Sequence, residues 1–242
     1  MKKRRLDEAL IADGAVQDKK EAFIIVTEGR VFIGGQKAIS PAQLIAQGTV
    51  VDVKNADGYV GRGALKLAGA LDAFHVDPAG MVGIDIGAAT GGFTEVLLRR
   101  GAVKVYAIDT ARGKLDLKIR QDARVVVMEE CDVRHLASLP EQADIAVIDV
   151  SLISLRDIVG SARRLLKPSG IVVALFKPQY ETRDASLLHH GVIRDPAARQ
   201  ALADDFAVWA DQNGWRVHGM IESPIRGDKG NGEYLFYLSP AV

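Results

Sequence analysis

From Met81 onward the sequence predicts an open α/β sheet whose strands alternate with helices and run mostly parallel. Three observations carry that prediction. Runs rich in Val and Ile recur at "MVGIDIG", "KVYAID", "RVVVMEE", "DIAVIDV" and "GIVVALFK", the pattern of strands buried on both faces. Helical stretches near 92–100, 113–120, 153–166 and 197–212 alternate with them. The first strand also runs into a glycine-rich turn, "DIGAATGGF", that opens a helix. In open α/β sheets, ligands sit at such carboxyl ends of strands.

The elements before this sheet differ in kind. "RRLDEALIADG" reads as a short helix closed by Gly14. "DKKEAFIIVTEG" reads as a second, with Asp18 as cap and Gly29 as stop. "RVFIGGQKA" reads as a strand, a Gly34-Gly35 turn and a return, and "GTVVDVK" as another short strand. The turn-rich "NADG" (Asn55 to Gly58) is the expected linker, giving domains at 1–57 and 58–242. "YVGRGALKLAGALDAF" then forms a helix with Leu65, Leu67, Leu71 and Phe74 as its apolar positions. After the parallel strands, "GWRVHGMIES" and "GEYLFYLS" add two more. There is no internal repeat and no low-complexity segment.

Composition narrows the setting. The chain has 242 residues, 48% of them hydrophobic, enough for a buried core. Cys131 has no partner cysteine, so no disulfide framework or cysteine-based metal site is expected, and a reducing cytoplasm fits. The opening "MKKRRLDEAL" lacks the apolar run of a signal peptide. No apolar segment approaches the roughly 18 residues of a membrane span. A formal net charge of zero counts against a generally basic nucleic-acid binder but leaves room for a local basic face. Lys2, Lys3, Arg4 and Arg5 are one such face, or a solvated terminus.

The glycine spacing, Gly87-x-x-x-Gly91-Gly92, is neither the dinucleotide fingerprint nor a phosphate-binding P-loop, since no Lys-Ser/Thr follows. Asp85, just before the turn, would repel a pyrophosphate but attract a cation or accept hydrogen bonds from an amine. Asp109 ends the next strand, where an acid grips a ribose diol. A ligand with a ribose, a positive centre and an amino-acid end satisfies both, and S-adenosylmethionine is such a molecule. Either acid alone reads equally well as a cap; turn and acids together favour a ligand site.

Further ionisable residues stand at strand ends. Asp149 tips "AVIDVS", Lys177 follows the apolar run Ile171 to Phe176, Glu233 heads the last strand, and Lys66 lies in the helix before the sheet. The apolar approach to Lys177 predicts partial desolvation and a lowered pKa. Singly, each is most simply a salt bridge or a solvated charge. Converging above the sheet, the four would hold a hydroxyl, help remove its proton and keep the charges paired. No Ser-His-Asp set is visible among His75, His135, His189, His190 and His218. The adjacent pair His189-His190 is read as loop imidazoles in preference to metal ligands, and no metal is expected.

In this order and spacing, "DIGAATGGFTEVLLRRGAVKVYAID", "IDVSLISL", "FKPQYE", "GVIRDP" and "SPIRGDKGNGEYLF" resemble the TlyA family, whose members include haemolysin A and ribosomal RNA 2′-O-methyltransferases. The likeness covers nearly the whole chain. "RGALKL" and the strand-end lysine also resemble the wider FtsJ/RrmJ class, and "RRLDEALI" through "VVDVK" resembles the small RNA-binding module named after ribosomal protein S-four. The resemblance implies a Rossmann-like class I methyltransferase sheet behind a small N-terminal α+β RNA-binding domain. It implies an S-adenosylmethionine-dependent rRNA (cytidine-2′-O)-methyltransferase acting on ribosomal subunits, with no metal and no membrane partner.

The family's Lys-Asp-Lys-Glu tetrad falls on Lys66, Asp149, Lys177 and Glu233. Cofactor contacts are implied at Asp85, Gly87, Ala88, Gly91, Gly92, Phe93, Asp109, Asp132 and Asp149, and RNA contacts at Arg4, Arg5 and Arg62. The chain departs from the family at Gly34 (usually Asn), at Gly61 and Ala64 (usually Ser and Gly), at Leu188-His189-His190 (commonly Gly-Lys-Gly) and at "CDVRHL". Two alternatives stand beside this: an RNA- or ribosome-binding protein with an idle methyltransferase fold, and a methyltransferase with another acceptor. A pore former finds no support in a signal, a span or an amphipathic basic helix.

Overall fold

The computed structural model describes residues 3–27, 29–53 and 58–241, except the side chain of Asp228. The chain divides into two compact units, Met1–Arg62 and Gly63–Val242.

The first unit contains β1 (Lys3–Arg5), α1 (Leu6–Ala12), α2 (Lys19–Thr27), β2 (Val31–Ile33), β3 (Gln36–Lys37), β4 (Leu44–Ala46) and β5 (Val51–Val53). Leu6, Ala9 and Leu10 lie at helical spacing on α1 and join Ala22, Ile25 and Val26 of α2, with Val31 and Ile45, in one core. The Asp18 carboxylate accepts the Glu21 N–H at 2.8 Å and caps α2. Gly34 and Gly35, at φ 55° and 81°, make the two-residue turn between β2 and β3, which only a left-handed pair closes without splaying the strands.

Two features depart from the sequence expectation. Arg4 and Arg5 belong to β1, not to the helix, because β1 pairs antiparallel with β4 and the Leu6 N–H reaches Gln43 O at 2.9 Å. β4 itself is three residues without alternation, too short to register as a strand. Of the expected linker only Gly58 falls within the described residues, and Lys2 falls outside them.

The second unit begins with α3 (Gly63–Ala73), followed by β6 (Val82–Ile86), α4 (Gly92–Arg99), β7 (Lys104–Ile108), α5 (Leu117–Arg120) and β8 (Val125–Met128). It continues through β9 (Ala143–Ile148), α6 (Arg156–Leu165), β10 (Leu166–Phe176), α7 (Pro178–Glu181), α8 (Pro196–Gln212), β11 (Trp215–Glu222) and β12 (Tyr234–Pro240). The seven strands are ordered β11-β12-β10-β9-β6-β7-β8. The five from β10 to β8 are parallel, and β12 runs antiparallel to both β10 and β11. Chain order reverses between β6 and β9, so their carboxyl ends open the crevice where such sheets bind ligands.

One core joins Ile84, Ile86, Ile148 and Phe176 of the sheet to Ile158, Val159 and Ala162 of α6 and Phe206 and Ala210 of α8. Phe176 and Phe206 meet at 5.2 Å between ring centres, Phe206 and Phe236 at 4.9 Å. The buried stripe of α3 is Ala64, Leu67, Ala70 and Leu71 rather than the expected Leu65 and Phe74, which are only partly buried. Small residues let this helix lie close, and Lys66, one turn before Ala70, is buried with them. β10 starts earlier than expected, at Leu166, with an irregular register up to Ile171. Among the described residues no helix is long and apolar enough to cross a membrane.

Candidate active site

The glycine turn is built for close approach. Gly87 (φ 87°) and Ala88 both donate N–H groups to Ile108 O, at 2.9 and 3.0 Å, fastening the turn to the end of β7. A Cβ on Gly87 would overlap the carbonyl of Asp149, so no other residue fits there unstrained. Gly91 (φ 93°) is the N-cap of α4, where a side chain would press on Leu115 and Ile119.

The acids around this turn bind it together. Asp85 is fully buried; its Oδ2 accepts the Thr94 N–H at 2.8 Å and the Thr94 hydroxyl at 2.6 Å. Its Oδ1 has no hydrogen-bond partner among the described residues. Burial pushes the carboxyl from 3.8 to about 7, against the pull of the Thr94 hydrogen bonds. Asp109 accepts the Ala89 N–H at 2.8 Å and the Ala111 N–H at 2.7 Å, joining two loops through one carboxylate. Asp132 meets the Arg134 guanidinium at 2.6 Å and its N–H at 2.9 Å, which pulls its pKa down to about 2.

A cavity of about 610 Å³ opens at these strand ends, a volume ordinary for a cofactor site. Gly87, Asp109, Asp132 and Asp149 line it. The other residues of the expected cofactor set stand behind it. Asp85 holds the first turn of α4, Ala88 and Phe93 are buried, Gly91 caps α4 and Gly92 begins it. The donor set suits S-adenosylmethionine: a glycine turn that admits close backbone approach, three carboxylates facing a cation and a diol, and an unpartnered buried oxygen beneath.

Beside the cavity, and sharing Asp149 with it, four ionisable side chains form two pairs. Lys66 Nζ lies 2.6 Å from Glu233 Oε2, and Lys177 Nζ lies 2.7 Å from Asp149 Oδ1 and donates to Ser151 Oγ at 2.8 Å. Strand register explains the convergence. Phe176 pairs with Tyr234 across β10 and β12, so the next residues outward, Lys177 and Glu233, are neighbours. Ile148 of β9 pairs with Ala174 of β10 and Ile86 of β6, which sets Asp149 between Lys177 and the glycine turn.

The electrostatics correct one expectation. Burial alone would lower the Lys177 pKa, but the charge and hydrogen bond of Asp149, with Glu233 adding, carry it above the ordinary 10.5. Lys177 is therefore an ammonium at neutral pH. Burial pushes Glu233 up, and Lys66 opposes that shift. A buried pair such as Lys66–Glu233 is a poor source of net stability, because desolvation consumes most of the attraction.

Two further residues serve the site without having been singled out in the sequence. Glu181, on α7 just beyond Lys177, accepts the Ser154 hydroxyl and the Leu155 N–H, each at 2.6 Å. It ties the segment after Lys177 to the loop after Asp149. Its only sequence signal was its place in "FKPQYE". Leu152, in that loop, is held at φ 67° on the cavity rim and is 86% exposed, a strained position for a branched residue. The expected RNA contacts are otherwise engaged in part: Arg4 pairs with Asp13 at 3.1 Å, and Arg5 holds Asp7 through two hydrogen bonds of 3.0 and 2.7 Å. Arg62 ends the first unit.

Residues 59–239 match the FtsJ-like methyltransferase family. The chain is 36% identical over 241 residues to the 16S/23S rRNA (cytidine-2′-O)-methyltransferase TlyA of Mycobacterium tuberculosis, covering 98% of this chain and 90% of that one. It is 34% identical to Hemolysin A of Brachyspira hyodysenteriae, over 97% of this chain and 99% of that one. Among solved structures, a hemolysin-designated protein of Streptococcus thermophilus superposes with a TM-score of 0.78 at 36% identity, covering 100% of this chain and 90% of the other. A seven-stranded, mostly parallel sheet with a glycine turn at its switch point, a cavity there, and relatives of this identity over nearly full length place the chain in the FtsJ-like methyltransferase family, among the TlyA proteins.

Proposed function

We propose that this protein transfers a methyl group from S-adenosylmethionine to a ribose 2′-hydroxyl of ribosomal RNA. The carrying observation is the quartet Lys66–Glu233 and Lys177–Asp149, which meets the cavity through Asp149. Gly87, Asp109, Asp132 and Asp149 would hold the cofactor, with Asp85, Ala88, Gly91, Gly92 and Phe93 shaping the turn beneath. When bound, S-adenosylmethionine supplies a methyl group already activated on a sulfonium.

The residues of the chain have two tasks: aligning the acceptor oxygen and handling one proton. Lys177, as an ammonium, donates a hydrogen bond to the ribose oxygen and stabilises the negative charge that grows on it. Ser151 and Asp149 fix the direction of that ammonium. The hydroxyl proton passes to the Asp149 carboxylate as the new O–C bond forms. Lys66 and Glu233 hold the nucleotide and keep the buried charge balanced. The first unit, through its basic residues Arg4 and Arg5, and Arg62 at its end, grips RNA phosphates. A ribosomal substrate implies a cytoplasmic setting. An idle fold would have no use for a buried ion pair and a partly buried one beside a cavity.

The test is product analysis. Unmodified bacterial ribosomal subunits are incubated with the protein and methyl-labelled S-adenosylmethionine, then digested to nucleosides. Label is expected in a 2′-O-methyl nucleoside. Label in a base-methylated nucleoside, or in none, rules the assignment out.

A further inference from the structure

Next to Glu233 lie two tight turns that the reaction does not use. In the first, His189 and Val192 exchange both backbone hydrogen bonds, at 2.9 and 3.1 Å, so His190 and Gly191 are the central pair of a two-residue hairpin. Both have positive φ, 52° and 79°. Asn and Gly are the residues that ease such a turn, yet this chain places a histidine at its first central position. The rings of His189 and His190 lie 4.6 Å apart at 31°, both exposed.

The second turn runs from Gly227 to Asn231, closed by Gly227 N–H to Asn231 O at 2.8 Å. Gly227 sits directly on the Glu233 carboxylate, where a Cβ would overlap it. Lys229, at its centre, is again a non-glycine residue in the left-handed region, at φ 54°. The two turns are joined. The Asn231 side chain, buried, donates to Gly191 O at 3.2 Å, and Lys229 Nζ lies 3.7 Å from where a Gly191 Cβ would be. The strained backbone thus holds an exposed ring pair and an ammonium together at the edge of the quartet. Strain that persists at such a place is more often kept for function than for stability.

We propose that the His189-His190 pair and Lys229 form an RNA contact flanking the reactive ribose, with a neighbouring base stacked on the imidazoles and its phosphate on the ammonium. The inference rests on the RNA methyltransferase reading and names a part of its substrate grip. Exposed aromatic faces take any base, and a lysine beside them meets the backbone charge. Arg226 stands on the same segment, 3.8 Å from Glu222, with its guanidinium against Gly232.

The experiment uses the full chain with Lys229→Gly and with the double change His189→Ala, His190→Gly. Glycine keeps the left-handed backbone and removes only the side chain. Affinity for unmodified ribosomal subunits is measured against salt, beside S-adenosylmethionine binding, melting temperature and methyl transfer. Lys229→Gly is expected to weaken subunit binding and to reduce the salt slope by about one. The double variant is expected to weaken binding about fivefold or more, with the salt slope kept, as loss of one stacked base does. Cofactor binding stays at the unaltered level and the melting temperature does not fall, since glycine takes the left-handed backbone without strain. Subunit affinity and salt slope equal to the unaltered protein in both variants overturn the contact. If the unaltered chain binds subunits but transfers no methyl group, the proposed reaction fails instead, and the binding comparison still decides the contact.

Discussion

Lys177 and Asp85 show how far a residue's neighbours in space override its neighbours in sequence. The apolar run before Lys177 correctly foretells its burial, and the desolvation it implies is real. What the sequence could not show is that Asp149 and Glu233, reaching the ammonium from other strand ends, outweigh that desolvation. Asp85 was legible as a turn-flanking acid, but not as a fully buried one held by Thr94. Its altered titration has a measurable consequence. The folded-state value of about 7 is above the unfolded 3.8, so the folded protein keeps the proton more tightly. Its stabilising share is complete below about pH 4 and is lost progressively up to about pH 7, on the order of 4 kcal/mol in all at roughly 1.4 kcal/mol per unit. Asp85→Asn keeps an oxygen for Thr94 and removes the titration. The melting temperature of this variant should change less between pH 4 and 7 than that of the unaltered protein; an identical pH dependence would mean that Asp85 is not the group responsible.

Among the elements, the parallel strands were the most legible, since each carries a Val- and Ile-rich stretch and ends at a charged or glycine residue. The short elements were not. β4 and α7 have three and four residues and owe their conformation to what they touch: β4 to pairing with β1, α7 to Pro178 at its first turn and to the reach of Glu181. Glu181 joins two loops that each carry a member of the quartet, so its removal should loosen both. Glu181→Ala leaves the Ser154 hydroxyl and the Leu155 N–H unpaired, a cost of about 1–3 kcal/mol. The expected kinetic result is a fall in kcat with KM for S-adenosylmethionine little changed, and partial rescue by Glu181→Gln, whose amide oxygen still accepts one of the two bonds. Equal loss in both variants would point to a purely structural part for this side chain.

For the molecule as a whole, the sequence conveyed the order of elements better than their meeting. Lys66 and Glu233 stand 167 positions apart, and only the folding of the last strand back between β10 and β11 brings them to 2.6 Å. The four residues and the orienting of Lys177 by Asp149 were readable from strand-end placement and the family likeness; the direct Lys66–Glu233 contact was not. The two units have separate cores, one around Leu6, Leu10 and Ile25, the other around Ile84, Phe176 and Phe206. A chain shortened to residues 58–242 is expected to fold, to bind S-adenosylmethionine as the full chain does, and to lose affinity for ribosomal subunits. Subunit binding undiminished in the shortened chain would take the RNA grip away from the first unit.

Lys177→Ala is the sharpest probe of the proposal that the quartet acts on a donor held in the adjoining cavity. S-adenosylmethionine binding by calorimetry and methyl transfer to unmodified ribosomal subunits are measured on the same preparation. Cofactor affinity is predicted to stay near that of the unaltered protein, while transfer falls by about a hundredfold or more, the usual loss when a donor to the developing negative charge is removed. Transfer at an undiminished rate would rule that proposal out, because the ammonium beside the cavity would then have no part in the reaction.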